Sequence, residues 1–187
     1  MEGKAGRPLS ERAHRALLAV TRDLVVEHGY DAVTIAMIAG AAGTGRQTVY
    51  RHWSNKAELV LDAFLAHARE QVDPTGSLVD FLDDTFAALA RTGPALRSLM
   101  AHAQRDAQFR GLFLRRFIAP RRAALGAVLR AGGQLPAGTP VEVAVAVVYG
   151  AIWYRLLLDE PLDHRYAQDL ARLVLSDRDA RSTPKDR

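Results

Sequence analysis

The chain has 187 residues, 49% hydrophobic and 25% charged, with a formal charge of +4 and a pI near 9.8, a length that suits one or two domains. It has no cysteine, which excludes disulfides, thiolate metal sites and cysteine nucleophiles. Aromatics are only 7% while alanine, leucine and arginine abound, and those good helix formers lead to an all-α expectation.

Residues 1–9 read as a flexible basic arm carrying Lys4 and Arg7. The opening MEGKAGRPLSERAHR has no apolar run, so no signal peptide is expected. From Ser10 a helical period begins, with Ala13, Leu17, Val20 and Leu24 on one side, and Gly29 stops it. Thr34 can cap a short second helix whose inner positions are Ile35, Ile38, Ala39 and Ala42. A glycine-threonine-glycine turn leads to a third helix ending near His52. Asn55 with Glu58 then resembles a capping box, and Leu59, Ala63, Phe64 and His67 share one stripe before Pro74. Ser77 and Asp80 start another helix, with Leu78, Phe81, Leu82, Thr85 and Leu89 inside. Gly93-Pro94 predicts a break and restart, followed by helices over 95–103 and 108–117. Pro120 opens the next, which Gly132-Gly133 stop. "TPVE" at 139–142 predicts a helix with Thr139 as cap, reaching Asp159, and a last helix spans 163–175 before a polar tail. No strand, repeat or low-complexity tract is evident.

The stretch AAGTGRQTVYRHW, residues 41–53, has two incompatible readings. A phosphate loop needs a strand before it and a G-x-x-x-x-G-K-[ST] or G-x-G-x-x-G spacing. Neither spacing is present, and the preceding TIAMIAGAA is capped like a helix. As the turn of a helix-turn-helix the stretch fares better. At about 100° per residue, Val49 and Trp53 point inward and Gln47 and Arg51 outward. Arg46 and Tyr50 take one flank, Thr48 and His52 the other. From Gly43 to Ala57 there are three basic residues and no acid, a footprint suited to duplex DNA.

Thr34, Ile38-Ala39, Ala42-Gly43, Thr48, Tyr50-Arg51, Trp53, Lys56 and Leu59 match, in order and spacing, the N-terminal signature of the tetracycline-repressor (TetR) family. The resemblance covers about residues 7–65 and includes the GRP arm and "HGYDAVT". "PRRAAL…GQLP" and "YGAIWYRLLLDEPLD" look like helices of regulatory domains in some members. Thr44 and Gly45 depart from the usual apolar turn residue and capping serine. Thr44 is therefore a candidate cap that shifts the third helix by one residue.

The resemblance implies an N-terminal three-helix helix-turn-helix DNA-binding domain over 10–54. A larger helical ligand-binding and dimerisation domain over 55–176 and a tail over 177–187 follow. By the same resemblance Arg46, Gln47 and Arg51 are candidates to read bases, and Thr34, Tyr50, His52 and Lys56 to hold phosphates. Thr44, Gly45 and Thr48 complete the DNA-binding set. Lys4 and Arg7 either enter a minor groove or form an ordinary terminus. The implied function is a ligand-responsive dimeric transcriptional regulator, usually a repressor. Its partners would be a palindromic operator and a small hydrophobic or amphipathic effector. Phe64, His67, Phe86, Met100, Phe109, Phe113, Tyr149 and Trp153 either line its cavity or belong to plain core.

The stretch VEVAVAVVYGAIWYRLLL has only 12 uncharged residues between Glu142 and Arg155, short of a bilayer span, so a cytoplasmic protein with no membrane partner is expected. A helix apolar on two sides needs two partners. Helices 121–131 and 140–158 are accordingly the expected dimer faces, through Leu125, Val128, Val141, Val145, Val148 and Ile152. On that assignment Val148→Asp should give monomers. No HExxH pair or G-x-S-x-G elbow is present, so neither metal, cofactor nor enzymatic activity is expected. An effector-independent nucleoid-type DNA binder and a helical hydrolase are the alternatives.

Overall fold

A computed structural model describes residues 10–69, 76–132 and 135–175, and every regular element among them is helical. The elements are α1 (Glu11–His28), α2 (Ile35–Ala41), α3 (Arg46–His52), α4 (Lys56–Arg69), α5 (Leu78–Arg105) and α6 (Ala107–Phe113). A π-helical turn (Leu114–Ile118) follows, then α7 (Ala119–Gly132), α8 (Val141–Leu158) and α9 (His164–Val174). The arm with Lys4 and Arg7, Pro74, Gly133 and the tail 177–187 lie outside the described residues.

Side chains cap most of the helix starts, and at Thr34 and Ser77 the cap is the expected one. Ser10 accepts from the Ala13 amide, Thr34 from Met37 and Asp163 from Tyr166. Ser77 and Asp80 bond reciprocally, the Ser77 amide to the Asp80 carboxylate at 2.9 Å and the Asp80 amide to Ser77 Oγ at 3.2 Å. Two starts differ. Asn55 Oδ1 accepts from Glu58 at 2.9 Å, but the Glu58 carboxylate reaches back to the Ser54 amide, 3.0 Å away. Thr139 does not cap α8. Pro140 stands at the cap position with extended backbone, its carbonyl accepting from Val143, and Thr139 is one residue too far upstream.

The described chain packs as two compact units, one of residues up to 69 with 94–113, the other of 70–93 with residues from 114 on. These units cut the chain elsewhere than at residue 54. In the first, α4 lies against α1 and α6, and Leu17, Val25, Ile38, Val49, Leu59 and Leu99 are sealed inside. In the second, Leu82 and Phe86 of α5, Leu125, Val128 and Leu129 of α7, Val145, Val148 and Ile152 of α8, and Leu170 of α9 form one core.

Three expectations are overturned by packing. The break at Gly93-Pro94 does not occur: α5 runs for 28 residues with Pro94 inside it. Proline within a helix costs about 3 kcal/mol. Burial of Leu78, Phe81, Leu82 and Phe86 before it and Leu96 and Leu99 after it outweighs that, at roughly 1.5–3 kcal/mol for each large side chain. Gly93 is there for space, since a Cβ would sit 2.9 Å from Leu156 Cδ1. What changes at Gly93-Pro94 is the unit against which the helix packs. The helix expected over 108–117 stops at Phe113 and passes into the π-helical turn, which buries Phe117.

The third correction concerns the dimer residues. Leu125, Val128, Val145, Val148 and Ile152 are buried in their own chain, and Val141 packs partly against the same core. The face of α8 left exposed carries Val143, Val147, Tyr154, Leu157 and Leu158. Both sides of α8 are apolar, so periodicity identified two faces without saying which faces inward. At 18 residues α8 is also long and apolar enough, by composition, to cross a membrane, contrary to the sequence reading. Its inner face is instead packed on α5, α7 and α9.

Candidate nucleic-acid interface

The turn between α2 and α3 is built from backbone. Ala42 and Gly43 amides donate to Ile38 and Gly40 carbonyls, and the Thr44 amide closes onto the Ala39 carbonyl at 2.9 Å. Gly43 has φ +62, where a side chain would be strained. Gly45, not Thr44, takes the cap position: its backbone is extended and its carbonyl accepts from Thr48 at 2.9 Å. The expected one-residue shift therefore does not occur, and Arg46 is the first helical residue. No side chain caps α3.

With seven residues α3 is too short to hold its own orientation. Val49 and Trp53 hold it. Val49 is fully buried and Trp53 is 3% exposed. The Trp53 indole Nε1 donates to Asp62 Oδ2 at 2.8 Å, and its ring stacks on His14 with centroids 5.0 Å apart. The opposite faces are open: Arg46, Gln47, Arg51 and His52 are exposed, and Tyr50 is 55% exposed. Thr44 and Thr48 are half-buried, while Gly45 and Thr34 are exposed. Two guanidiniums, an amide, a phenol and an imidazole thus share the outer surface of one short helix. Such groups can donate to phosphates and base edges.

Lys56 has a different place. Its Nζ donates to the carbonyls of Tyr30 and Val33, at 2.9 and 3.0 Å, and lies 4.1 Å from the centre of the Tyr30 ring. Burial lowers its pKa, an effect that Asp31 partly opposes. The ammonium is held on the loop that leads into α2, which supports a structural role for Lys56 beside the expected phosphate contact. Lys56→Gln is expected to destabilise the protein by about 1–2 kcal/mol through the lost charge-assisted bonds. The salt dependence of DNA binding should stay unchanged. A lysine on phosphate would instead lower the slope of log K against log salt by about one, and a salt titration of both proteins separates the two.

The same loop is anchored by residues far away in sequence. The Tyr30 amide donates to Ser98 Oγ at 2.8 Å, and Asp31 meets His102 Nδ1 at 2.8 Å and pairs with Arg105. The Tyr30 ring packs on His102 and Phe109. Sequence reading missed these partners because some 70 residues separate them and no local period connects them.

The residues expected to line a cavity fall in both units. Phe64, Phe109 and Phe113 are buried and Met100 half-buried in the first; Phe86 is buried and Tyr149 and Trp153 half-buried in the second. Phe109 and Phe113 stack at 6.0 Å. The side chain of His67 lies outside the described residues.

Residues 17–63 match the family model for bacterial regulatory proteins of the tetR family, and residues 72–174 match the tetracyclin repressor-like C-terminal domain. The chain is 35% identical to an uncharacterised HTH-type transcriptional regulator, YdeS of Bacillus subtilis, over 91% of each chain. It is 33% identical to the DNA-binding transcriptional repressor TetR of Mycobacteroides abscessus, over 88% of this chain and 90% of that one. The crystal structure of the TetR family transcription regulator SCO0332 superposes with a TM-score of 0.67 at 26% identity, over 86% of this chain and 95% of that one. With both family models matched and its polar outer α3 face held on a helix-turn-helix, this chain belongs to the TetR family of transcriptional regulators, DNA-binding transcription factors rather than enzymes.

Proposed function

We propose that the protein is a dimeric, ligand-responsive repressor that binds a palindromic operator and is released from it by a small hydrophobic or amphipathic effector. The observation that carries this reading is the open polar face of α3, with Arg46, Gln47, Tyr50 and Arg51 outward and Val49 and Trp53 locking the opposite side. In a dimer each subunit places α3 in one major groove, which makes the operator mirror the two-fold axis. The exposed stripe Val143, Val147, Gly150, Tyr154 and Leu157, at three- and four-residue steps along α8, is the proposed dimer face. The effector acts by binding the DNA-free arrangement more tightly than the DNA-bound one. The working compartment is the cytoplasm, where the operator is.

Selection of sites from a random duplex pool at near-physiological salt tests the reading. A palindrome with half-sites in fixed register is the expected result. Bound DNA without a consensus, together with a steep salt dependence, would instead favour the effector-independent nucleoid-type binder. On the selected site, Gln47→Ala and Arg51→Ala should each weaken binding by about 5–150-fold and relax preference at one position per half-site. Equal weakening on all sequences would reassign that residue to the phosphates.

A further inference from the structure

Residues 29–34 carry the chain from α1 into α2, and one stripe of α5 grips them. Ser98, His102 and Arg105 stand four and three residues apart on that helix and so share a face. Ser98 Oγ accepts from the Tyr30 amide at 2.8 Å, His102 Nδ1 lies 2.8 Å from Asp31 Oδ1, and Arg105 Nη2 pairs with Asp31 Oδ2. Each oxygen of one carboxylate is thus taken by a different side chain. The other ring nitrogen of His102 lies 3.6 Å from Asp106 Oδ2, and Asp106 in turn accepts from the Phe109 amide at 2.9 Å. The Tyr30 ring packs on His102 and Phe109, with centroids 4.4 and 4.9 Å away. Lys56 of α4 holds the Tyr30 and Val33 carbonyls. Three residues beyond Asp31, Thr34 caps α2, and α2 packs on α3.

Stability is a poor reason for this clamp. The Arg105 and Asp31 side chains are 64% and 55% exposed, and exposed ion pairs contribute little because water screens them. Two partners on one carboxylate supply orientation instead, since Asp31 cannot turn without losing one of them. Orientation matters here because α2 and α3 have seven residues each, too few for either to hold its own direction. A negative charge on a DNA-binding unit also opposes phosphate. Any benefit of Asp31 to DNA binding therefore comes through what it holds.

We infer that Asp31 is a positioning residue for DNA binding. Held by His102 and Arg105, it fixes the loop before α2, and with it the aim of α3, while touching no DNA itself. This rests on DNA binding through α3 and on neither the dimer nor the effector.

The test compares the full-length chain with Asp31→Asn, Arg105→Gln and the double variant, on duplex that the wild type selects from a random pool. Asp31→Asn is nearly isosteric and removes a negative charge, so a freely solvated Asp31 predicts equal or tighter binding. The positioning role predicts the opposite sign: binding weaker by at least about fivefold, with Tm lowered by no more than about 4 °C. Arg105 acts through Asp31, so the double variant should bind within about twofold of Asp31→Asn. The slope of log K against log salt should keep its wild-type value in Arg105→Gln, whereas an arginine on phosphate would lower it by about one.

Hydrogen exchange on the DNA-free proteins gives a second readout. Amides of residues 30–52 should exchange faster in Asp31→Asn while those of α8 keep wild-type rates. Unchanged or tighter binding by Asp31→Asn overturns the proposal, as do additive losses in the double variant or wild-type exchange over residues 30–52. A reduced salt slope in Arg105→Gln also overturns it, by placing that arginine on phosphate. If the selected duplex has no consensus, the palindromic-operator reading falls, while the same comparisons on that duplex still decide the role of Asp31.

Discussion

Val147→Asp is expected to give a folded monomer that no longer binds its operator tightly, whereas Val148→Asp is expected to unfold the second unit. The two positions are adjacent but opposite in environment: Val147 is 46% exposed and Val148 is 0% exposed in the chain. An aspartate at 148 would be buried among Leu82, Leu125 and Val145. The cost of an uncompensated buried charge is several kcal/mol, comparable to the whole stability of a domain, about 5–15 kcal/mol. An aspartate at 147 remains hydrated in the monomer and clashes only when a second copy covers the α8 stripe. Light scattering and urea unfolding of each variant decide between them. A Val147→Asp protein that stays dimeric would remove α8 from the dimer interface, and a Val148→Asp protein with a wild-type urea midpoint would contradict the core assignment.

Trp53→Ala is expected to cost about 3–5 kcal/mol, the range for truncating a buried large aromatic, and to reduce operator affinity beyond what lost stability explains. The indole closes the end of α3, stacks on His14 of α1 and donates to Asp62 of α4, so it joins three helices at once. Without it α3 loses its contacts with α1 and α4, and its outward groups lose their common aim. Trp53→Phe keeps most of the apolar area and loses the 2.8 Å hydrogen bond, for an expected cost of about 1 kcal/mol in addition to the smaller ring. Urea unfolding gives the stability change, and operator titration at temperatures where both variants are folded gives the affinity. A Trp53→Ala loss below about 1 kcal/mol would mean that the indole does not hold the helix-turn-helix together.

The helix-turn-helix was legible because it is specified locally. Thr34 caps α2, Gly43 takes the one left-handed position of the turn, and Val49 and Trp53 fall on the same side of α3 by helical period alone. Family resemblance added the expected partners of the outward residues, and for Arg46, Gln47, Tyr50 and Arg51 the structure leaves those side chains on the surface. Local pattern does not decide Lys56, because a lysine near a DNA-facing helix has the same signature whether its ammonium reaches out to phosphate or folds back onto the carbonyls of Tyr30 and Val33. Those carbonyls are 26 and 23 residues away, beyond any periodic pattern.

What the sequence determined by itself is therefore where most helices begin and end and which residues of α3 face outward, since caps, glycine turns and a single apolar stripe are decided by neighbours within a turn or two. Tertiary structure decided that α5 continues through Pro94, that Val148 rather than Val147 faces the core, and that Lys56 bonds backbone. Each of these depends on a competition between burial and a local penalty, or between two equally apolar faces, and that competition is settled only by which distant side chains arrive to fill the space.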